Sequence, residues 1–310
     1  MAEARILSPQ IEKFMKENPF PDVTKLPLPQ LRKAFNERQK AINANAPTYG
    51  LLIENESIEY PGKAPIPIRI YRAPDQKEKP VFAFFHGGGF VLGDLETLEC
   101  FCREVAHFAD CTVISIDYPL APENPFPAAP EAAFHAVKWV GNNLRRWHGT
   151  RLFLAGSSAG ATLATVICLM LTYLDGPAIA GQILLSPATD CDFNTPSYIQ
   201  NAVGYILTRE FCIWFLEQYV SDKNQYTNPL VSPLRWHNFE NLPPLLMVVA
   251  DLDPFRDEEI AYAEKYKAAN VPTLLRCYKG MTHGFATMPL DLEEKQDVMK
   301  WLSTFMKTTT

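Results

Sequence analysis

The sequence predicts an α/β fold: a mostly parallel sheet with helices on both faces, under a helical cap. Three observations predict it. Short apolar runs alternate with helix-patterned segments from residue 81 to residue 305. Val81–Phe85 is apolar at every position, as a central strand buried on both faces must be. Gly156-Ser157-Ser158-Ala159-Gly160 joins one apolar run to a long stretch of helix formers.

In chain order, residues 1–50 contain prolines and read mostly as helix, with Ile11, Phe14 and Met15 on one face and Leu31, Ala34 and Phe35 on another. This block precedes any strand and is expected to form one cap segment, the alternative being an N-terminal arm that packs on the core. From Ser57 the period becomes two, and Ile66, Ile68 and Ile70 alternate with Pro67, Arg69 and Tyr71. That pattern predicts a half-buried strand at a sheet edge. After Val81–Phe85 the sequence predicts a helix over 95–108, a strand over Thr112–Ile116, a Pro-rich loop over 118–127 and a helix over 131–144. The apolar run Leu152–Ala155, a helix from Ala161 and the strand Ile183–Leu185 follow. Residues 191–242 break the rhythm with Asn, Pro and many aromatics, and read as an insertion contributing to the cap. The strand Leu245–Ala250, a helix over 257–269, the strand Thr273–Tyr278 and a helix over 293–305 restore it. The expected division is therefore a catalytic domain of residues 51–190 and 243–310, capped by 1–50 and 191–242.

Composition narrows the function classes. At 310 residues, with 47% hydrophobic and 21% charged side chains, the chain is an ordinary globular protein with ample core. A net charge of −6 with scattered Lys and Arg leaves no footprint for nucleic acid or an anionic membrane. The first ten residues lack the apolar core of a signal peptide. Ala161–Leu174, the longest apolar run, contains three threonines and is too short for a bilayer. Seven cysteines without a C-x-x-C or a His/Cys cluster predict reduced thiols, no metal and a cytoplasmic protein. Without G-x-G-x-x-G or a Walker motif, no nucleotide is expected. A homodimer is compatible with the sequence.

The glycine-flanked Ser158 fits a G-x-S-x-G elbow, in which a serine is held on a sharp strand-to-helix turn. A serine alcohol is a poor nucleophile near neutral pH, so it needs a base, and the base needs an orienting acid. In chain order the acid should follow the serine and the histidine should come last. Of the six histidines only His237 and His283 follow Ser158, and His237 precedes the Leu245–Ala250 strand. His283 lies just past the next strand, at the sheet edge where ligand sites form. For the acid, Asp253 is favoured because the chain turns there. Asp251 is nearly still on the strand, and Asp257 falls inside the next helix. Asp253-Pro254 equally fits a helix start. His86-Gly87-Gly88-Gly89-Phe90, directly after the central strand, offers backbone N–H groups for an oxyanion hole. Its expected donors are Gly88 and Gly89, together with Ala159. Phe90, Tyr205, Phe211, Trp214 and Phe215 are the expected substrate-binding aromatics.

His-Gly-Gly-Gly-Phe (86–90), the loop from Tyr118 to Ala129, Gly-Ser-Ser-Ala-Gly (156–160), the segment from Asp253 to Glu258 and His283-Gly-Phe occur in one order and spacing. In these the chain resembles the hormone-sensitive-lipase-like family of α/β hydrolases, over about residues 80–285. The resemblance implies an eight-stranded α/β-hydrolase sheet, a cap from the N-terminus and a later insertion, and cofactor-free ester hydrolysis. It also implies Ser158, Asp253 and His283 as the triad. Ser157 stands where the family usually has Asp, and Pro119 where it usually has Arg. The expected function is hydrolysis of small, short- to medium-chain carboxylic esters through an acyl-enzyme. Two alternatives share the fold. One is a non-catalytic small-molecule receptor, like the plant gibberellin receptors of the resembling group, which lack the histidine. The other is an amide or peptide hydrolase.

Overall fold

Eight segments pair into one sheet: β1 (Leu52–Ile58), β2 (Ile66–Arg72), β3 (Lys79–Phe85), β4 (Thr112–Ile116), β5 (Gly149–Ser157), β6 (Ile179–Leu185), β7 (Leu245–Leu252) and β8 (Thr273–Thr282). In the computed structural model, which describes residues 6–44 and 46–309, their order is β1-β2-β4-β3-β5-β6-β7-β8. Residues 1–5, where the leaderless start and the beginning of the first cap segment are expected, lie outside the described residues, as do 45 and 310. β1 and β2 pair antiparallel, as do β2 and β4, and the remaining pairings are parallel.

The helices are α1 (Pro9–Glu17), α2 (Leu28–Asn43), α3 (Glu99–Phe108), α4 (Ala128–Asn142), α5 (Ala159–Met170), α6 (Pro196–Gln200), α7 (Arg209–Tyr219), α8 (Arg256–Ala268) and α9 (Glu293–Thr308). Alternation along β3 shows how the two faces are filled. Val81, Ala83 and Phe85 join a core with side chains of α4, α5 and α8. Phe82 and Phe84 face the opposite core, built with α1, α3 and α9. Every residue of α5 is buried, which accounts for its unbroken apolar character. Among the described residues no helix is long and apolar enough to cross a membrane.

Two expectations need correction. Ile66–Ile70 lies one strand in from the edge, because β1 pairs outside it from Leu52↔Arg72 to Ile58↔Ile66. β1 reads Leu-Ile-Glu-Asn-Glu-Ser-Ile and carries no sustained alternation, so periodicity passes over it. The helix expected from Leu95 starts only at Glu99. Asp94 and Thr97 hold the intervening turn, with Glu96 N–H donating to Asp94 Oδ1 (2.8 Å) and Asp94 N–H to Thr97 Oγ1 (3.0 Å).

α2 is tied to the loop after β3 by Arg32, Asn36 and Asn43, the last two bonding Asp94 and the Glu96 carbonyl. Arg32 donates to the carbonyls of Val91 (2.9 Å) and Ala121 (2.7 Å), and pairs with Glu123. Residues 191–242, including α6 and α7, lie between β6 and β7. Tyr219 of α7 stacks on Phe90 at 3.9 Å, and Phe211 meets Phe20 at 6.2 Å, so the two helical segments touch above the sheet.

Phe82 is fully enclosed at the centre of the sheet. Phe82→Ala should cost about 3–5 kcal/mol in urea unfolding; a loss below about 1 kcal/mol would mean that this core is not close-packed.

Candidate active site

The elbow begins with geometry only glycine allows. A Cβ on Gly160 would stand 2.0 Å from the carbonyl oxygen of Phe85, and one on Gly156 would stand 2.2 Å from the Gly160 carbonyl. With no side chains there, the first turn of α5 presses against the ends of β3 and β5. Ser158, between strand and helix, is held at φ 55° and ψ −126°, a strained backbone for a non-glycine residue. Its N–H donates to Leu185 O at 2.8 Å, which fastens the turn to β6.

The long-range partners arrive on β7 and β8. Ala250 pairs with Tyr278, but two residues later Leu252 pairs with Thr282, so β8 absorbs extra residues around Gly280. Gly280 has φ +69°, and its carbonyl accepts from Ser8 N–H at 3.0 Å. This slip sets Asp253 and His283 side by side just beyond the paired ends. His283 Nδ1 lies 2.6 Å from Asp253 Oδ2, and His283 Nε2 lies 2.9 Å from Ser158 Oγ. A carboxylate can only accept, so Nδ1 carries the proton and Nε2 is left to receive the serine's. Asp253 is fully buried, and its other oxygen accepts from Phe255 N–H (3.0 Å) at the entrance to α8. Its two oxygens thus serve the turn before α8 and the imidazole at once. Asn201 Nδ2 donates to the Asp253 carbonyl at 2.9 Å, and Phe255 meets the His283 ring edge-on at 5.2 Å. Asp257 lies in the first turn of α8 and accepts from Ser197 N–H (2.8 Å), away from the imidazole.

Gly88 and Gly89 adopt φ +121° and +62°, which turns the loop after β3 back on itself. Its carbonyl side is used internally: Gly88 O accepts from Leu92 N–H at 2.9 Å. Among the described residues no acceptor takes the N–H groups of Gly88, Gly89 or Ala159. Gly87 packs against the elbow, where a Cβ would be 3.1 Å from Ser157 O. Buried His86 fixes the loop's start. Tyr118 Oη donates to its carbonyl at 2.7 Å, and the two rings stack at 4.5 Å.

Ser158, Ala159, His283, Gly88 and Gly89 share a cavity of about 220 Å³. Of the aromatics named from the sequence, Phe90 and Phe215 line it, whereas Tyr205, Phe211 and Trp214 do not. The reason is helical phase. α7 turns Cys212, Phe215, Leu216 and Tyr219 to the cavity, a one-face spacing of three, four and seven residues. Phe211 and Trp214 each precede that face by one residue. Phe211 packs against Phe20, and Trp214 packs edge-on against Phe215. Tyr205 lies on the connection between α6 and α7. The far wall, from α2, is a contribution that the sequence reading lacks: Phe35, Arg38, Gln39, Ile42 and Asn43. Polar side chains spaced along one helix face were the available signal. Cys100, Cys191 and Cys212 also reach the cavity, but burial pushes their thiols up, to about 11 and about 12 for the first two. They stay protonated and are poor nucleophiles.

A serine bonded to an imidazole, itself bonded to a buried carboxylate and facing free glycine amides at the carboxyl edge of an α/β sheet, is the constellation of a serine hydrolase. The α/β hydrolase fold profile matches residues 82–287. The chain is similar to esterase LipI of Mycobacterium tuberculosis, with 39% identity over 227 residues, 71% of either chain. It is similar to an ethyl acetate hydrolase of Pseudomonas putida, 32% identical over 75% of either chain. Among solved structures it is similar to a hyperthermophilic esterase from Pyrobaculum calidifontis, with TM-score 0.90, 32% identity and 98% of each chain covered. The chain belongs to the α/β-hydrolase family, in the hormone-sensitive-lipase-like branch of microbial carboxylesterases.

The β8 slip yields a test away from the reacting atoms. Gly280→Val forces a branched residue into the left-handed region and places its Cβ 2.8 Å from Ile6 O. It should cost about 1–3 kcal/mol of stability and, by moving His283, lower ester turnover on the order of tenfold or more. Unchanged kcat in a folded variant would show that the slip does not place the imidazole.

Proposed function

We propose that the protein is a carboxylesterase for small, short- to medium-chain esters, acting through an acyl-enzyme on Ser158. The observation that carries this reading is the unbroken run of contacts from Ser158 Oγ to His283 Nε2 (2.9 Å) and from His283 Nδ1 to Asp253 (2.6 Å). Ser158 Oγ attacks the ester carbonyl carbon while Nε2 takes its proton. The N–H groups of Gly88, Gly89 and Ala159 receive the developing oxyanion, each donor being worth about 10²–10³ in rate. Imidazolium His283 then protonates the leaving alkoxide, the C–O bond breaks, and the acyl group stays on Ser158. A water deprotonated by the same nitrogen attacks the acyl carbon, and His283 returns the proton to Oγ as the acid departs. Asp253 keeps the ring in the required tautomer and stabilises the imidazolium.

A receptor on this fold needs no relay in bonding contact, so the intact chain of contacts favours turnover over retention of a ligand. No observation favours an amide over an ester. The cavity's apolar walls and volume of about 220 Å³ support small acyl and alcohol groups. Cys100, Cys102, Cys111, Cys168, Cys191 and Cys212 are free thiols, which supports a reducing, cytoplasmic setting.

Ser158→Ala or His283→Ala should each lower kcat by about 10⁴–10⁶, and Asp253→Asn by about 10³–10⁴, with KM little changed. A fluorophosphonate should label the wild type at Ser158 and leave Ser158→Ala unmodified. Residual turnover of the serine variant at wild-type rate would remove the assignment. In a 4-nitrophenyl ester series, acetate to hexanoate should be turned over and palmitate should not. Rates that rise through palmitate would contradict the cavity size.

A further inference from the structure

We propose that the part of the cavity under α2 is a carboxylate subsite. On this view the enzyme prefers esters that carry one negative charge remote from the scissile bond, with Arg38 as its partner. The inference rests on the esterase reading and adds the substrate's second functional group. Arg38 is the one Lys or Arg among the described residues lining the cavity. It is half-buried, and burial alone disturbs its guanidinium, pushing its pKa down with no opposing contribution from an acid. Of its five N–H donors, one reaches a protein acceptor, the carbonyl of Asn18 at 3.3 Å. Its Nε is enclosed without any hydrogen-bond partner. The ring of Phe14, 5.7 Å away, covers one face.

An enclosed cation without a counter-charge costs free energy, and in folded proteins such groups are ordinarily paired. Three other arginines follow that rule, Arg32 holding Glu123, Arg69 holding Glu96 and Arg235 holding Asp190, while Arg209 is instead met by the Phe193 carbonyl and the Asn194 side-chain oxygen. The last pair matters here, because Asp190 also lines the cavity and its charge is already balanced. Beside Arg38, buried Gln39 lines the same wall, and among the described residues its amide has no protein partner. Asn43 is occupied, donating to Glu96 O (2.7 Å) and accepting from the Cys100 thiol (3.0 Å). A guanidinium fork with one free neighbouring amide suits a planar carboxylate. A single positive charge does not neutralise a phosphate dianion, which selects a monoanion.

The test uses matched esters that differ only in charge. In one pair the charge is on the acyl side: mono-4-nitrophenyl glutarate against its methyl ester, read by nitrophenolate release. In the other it is on the alcohol side: 4-carboxyphenyl acetate against 4-(methoxycarbonyl)phenyl acetate. In the wild type the ratio of kcat/KM, charged over methylated, should exceed one in one of the pairs, through KM. Arg38→Gln should lower that ratio on the order of tenfold or more, and Arg38→Lys, which keeps the charge, should lower it less. A ratio below one in both pairs for the wild type overturns the proposal without needing any variant. So does a ratio that Arg38→Gln leaves unchanged, which would make Arg38 only a brace for Asn18 and Phe14. If the wild type turns over neither methylated ester, the esterase reading itself has failed.

Discussion

The contact on which the rest depends is the approach of Gly160 to the backbone at the end of β3. A Cβ there would overlap the carbonyls of Phe85 and His86, at 2.0 and 2.4 Å, so no side chain is accommodated. That approach brings the start of α5, with the Ala159 N–H, against the loop that carries Gly88 and Gly89. The proposed nucleophile and the proposed oxyanion donors are therefore one packed unit, not separate loops that must find each other. The strained conformation of Ser158 persists because this unit is clamped on several sides: by Gly156 against Gly160, by Gly87 against Ser157, and by the Leu185 carbonyl.

The second half of the site comes from residues almost a hundred or more positions further along the chain and is placed by strand register. The slip between Ala250↔Tyr278 and Leu252↔Thr282 sets the two strand ends level, so that Asp253 and His283 emerge together. The segment between β6 and β7 is bonded into the same place. Ser197 Oγ donates to Pro254 O at 2.7 Å, and Asn201 donates to the Asp253 carbonyl. The start of α6 thus braces the turn that presents the carboxylate. Any motion of that part of the cap must either break these bonds or carry the relay with it.

Much of this was legible in the sequence because it is local. The continuous apolar run Val81–Phe85, the glycine-flanked Ser158 and the triple glycine each state their own backbone requirement. Chain order favoured His283 over His237, and the turn after the Leu245–Ala250 strand favoured Asp253 over Asp251 and Asp257. What was not legible depends on tertiary phase. Phe211 and Trp214 are as aromatic as Phe215, and only the rotation of α7 decides which one meets the cavity. β1 owes its place to pairing with β2, since its own residues carry no strand signature. The helix-start reading of Asp253-Pro254 is off by two residues, since α8 begins at Arg256 with Phe255 as its N-cap; one Asp253 oxygen instead holds the turn before it and the other meets the imidazole. A sequence offers the two roles as competitors because it does not show that the oxygens point apart.

Several departures from local rules gather around the candidate site. There a serine sits at positive φ and, among the described residues, the N–H groups of three cavity-lining residues lack protein acceptors and a guanidinium lacks a counter-charge. Each departure costs on the order of 1–3 kcal/mol, and together they are comparable to the whole stability of an ordinary domain. Such a cluster persists only where the surroundings are close-packed. Here it rests on α5, buried along its whole length, and on β3, filled on both faces. The features that make Ser158 fit for chemistry are thus the ones the core must hold against relaxation. It follows that substitutions relieving them should raise stability while lowering turnover.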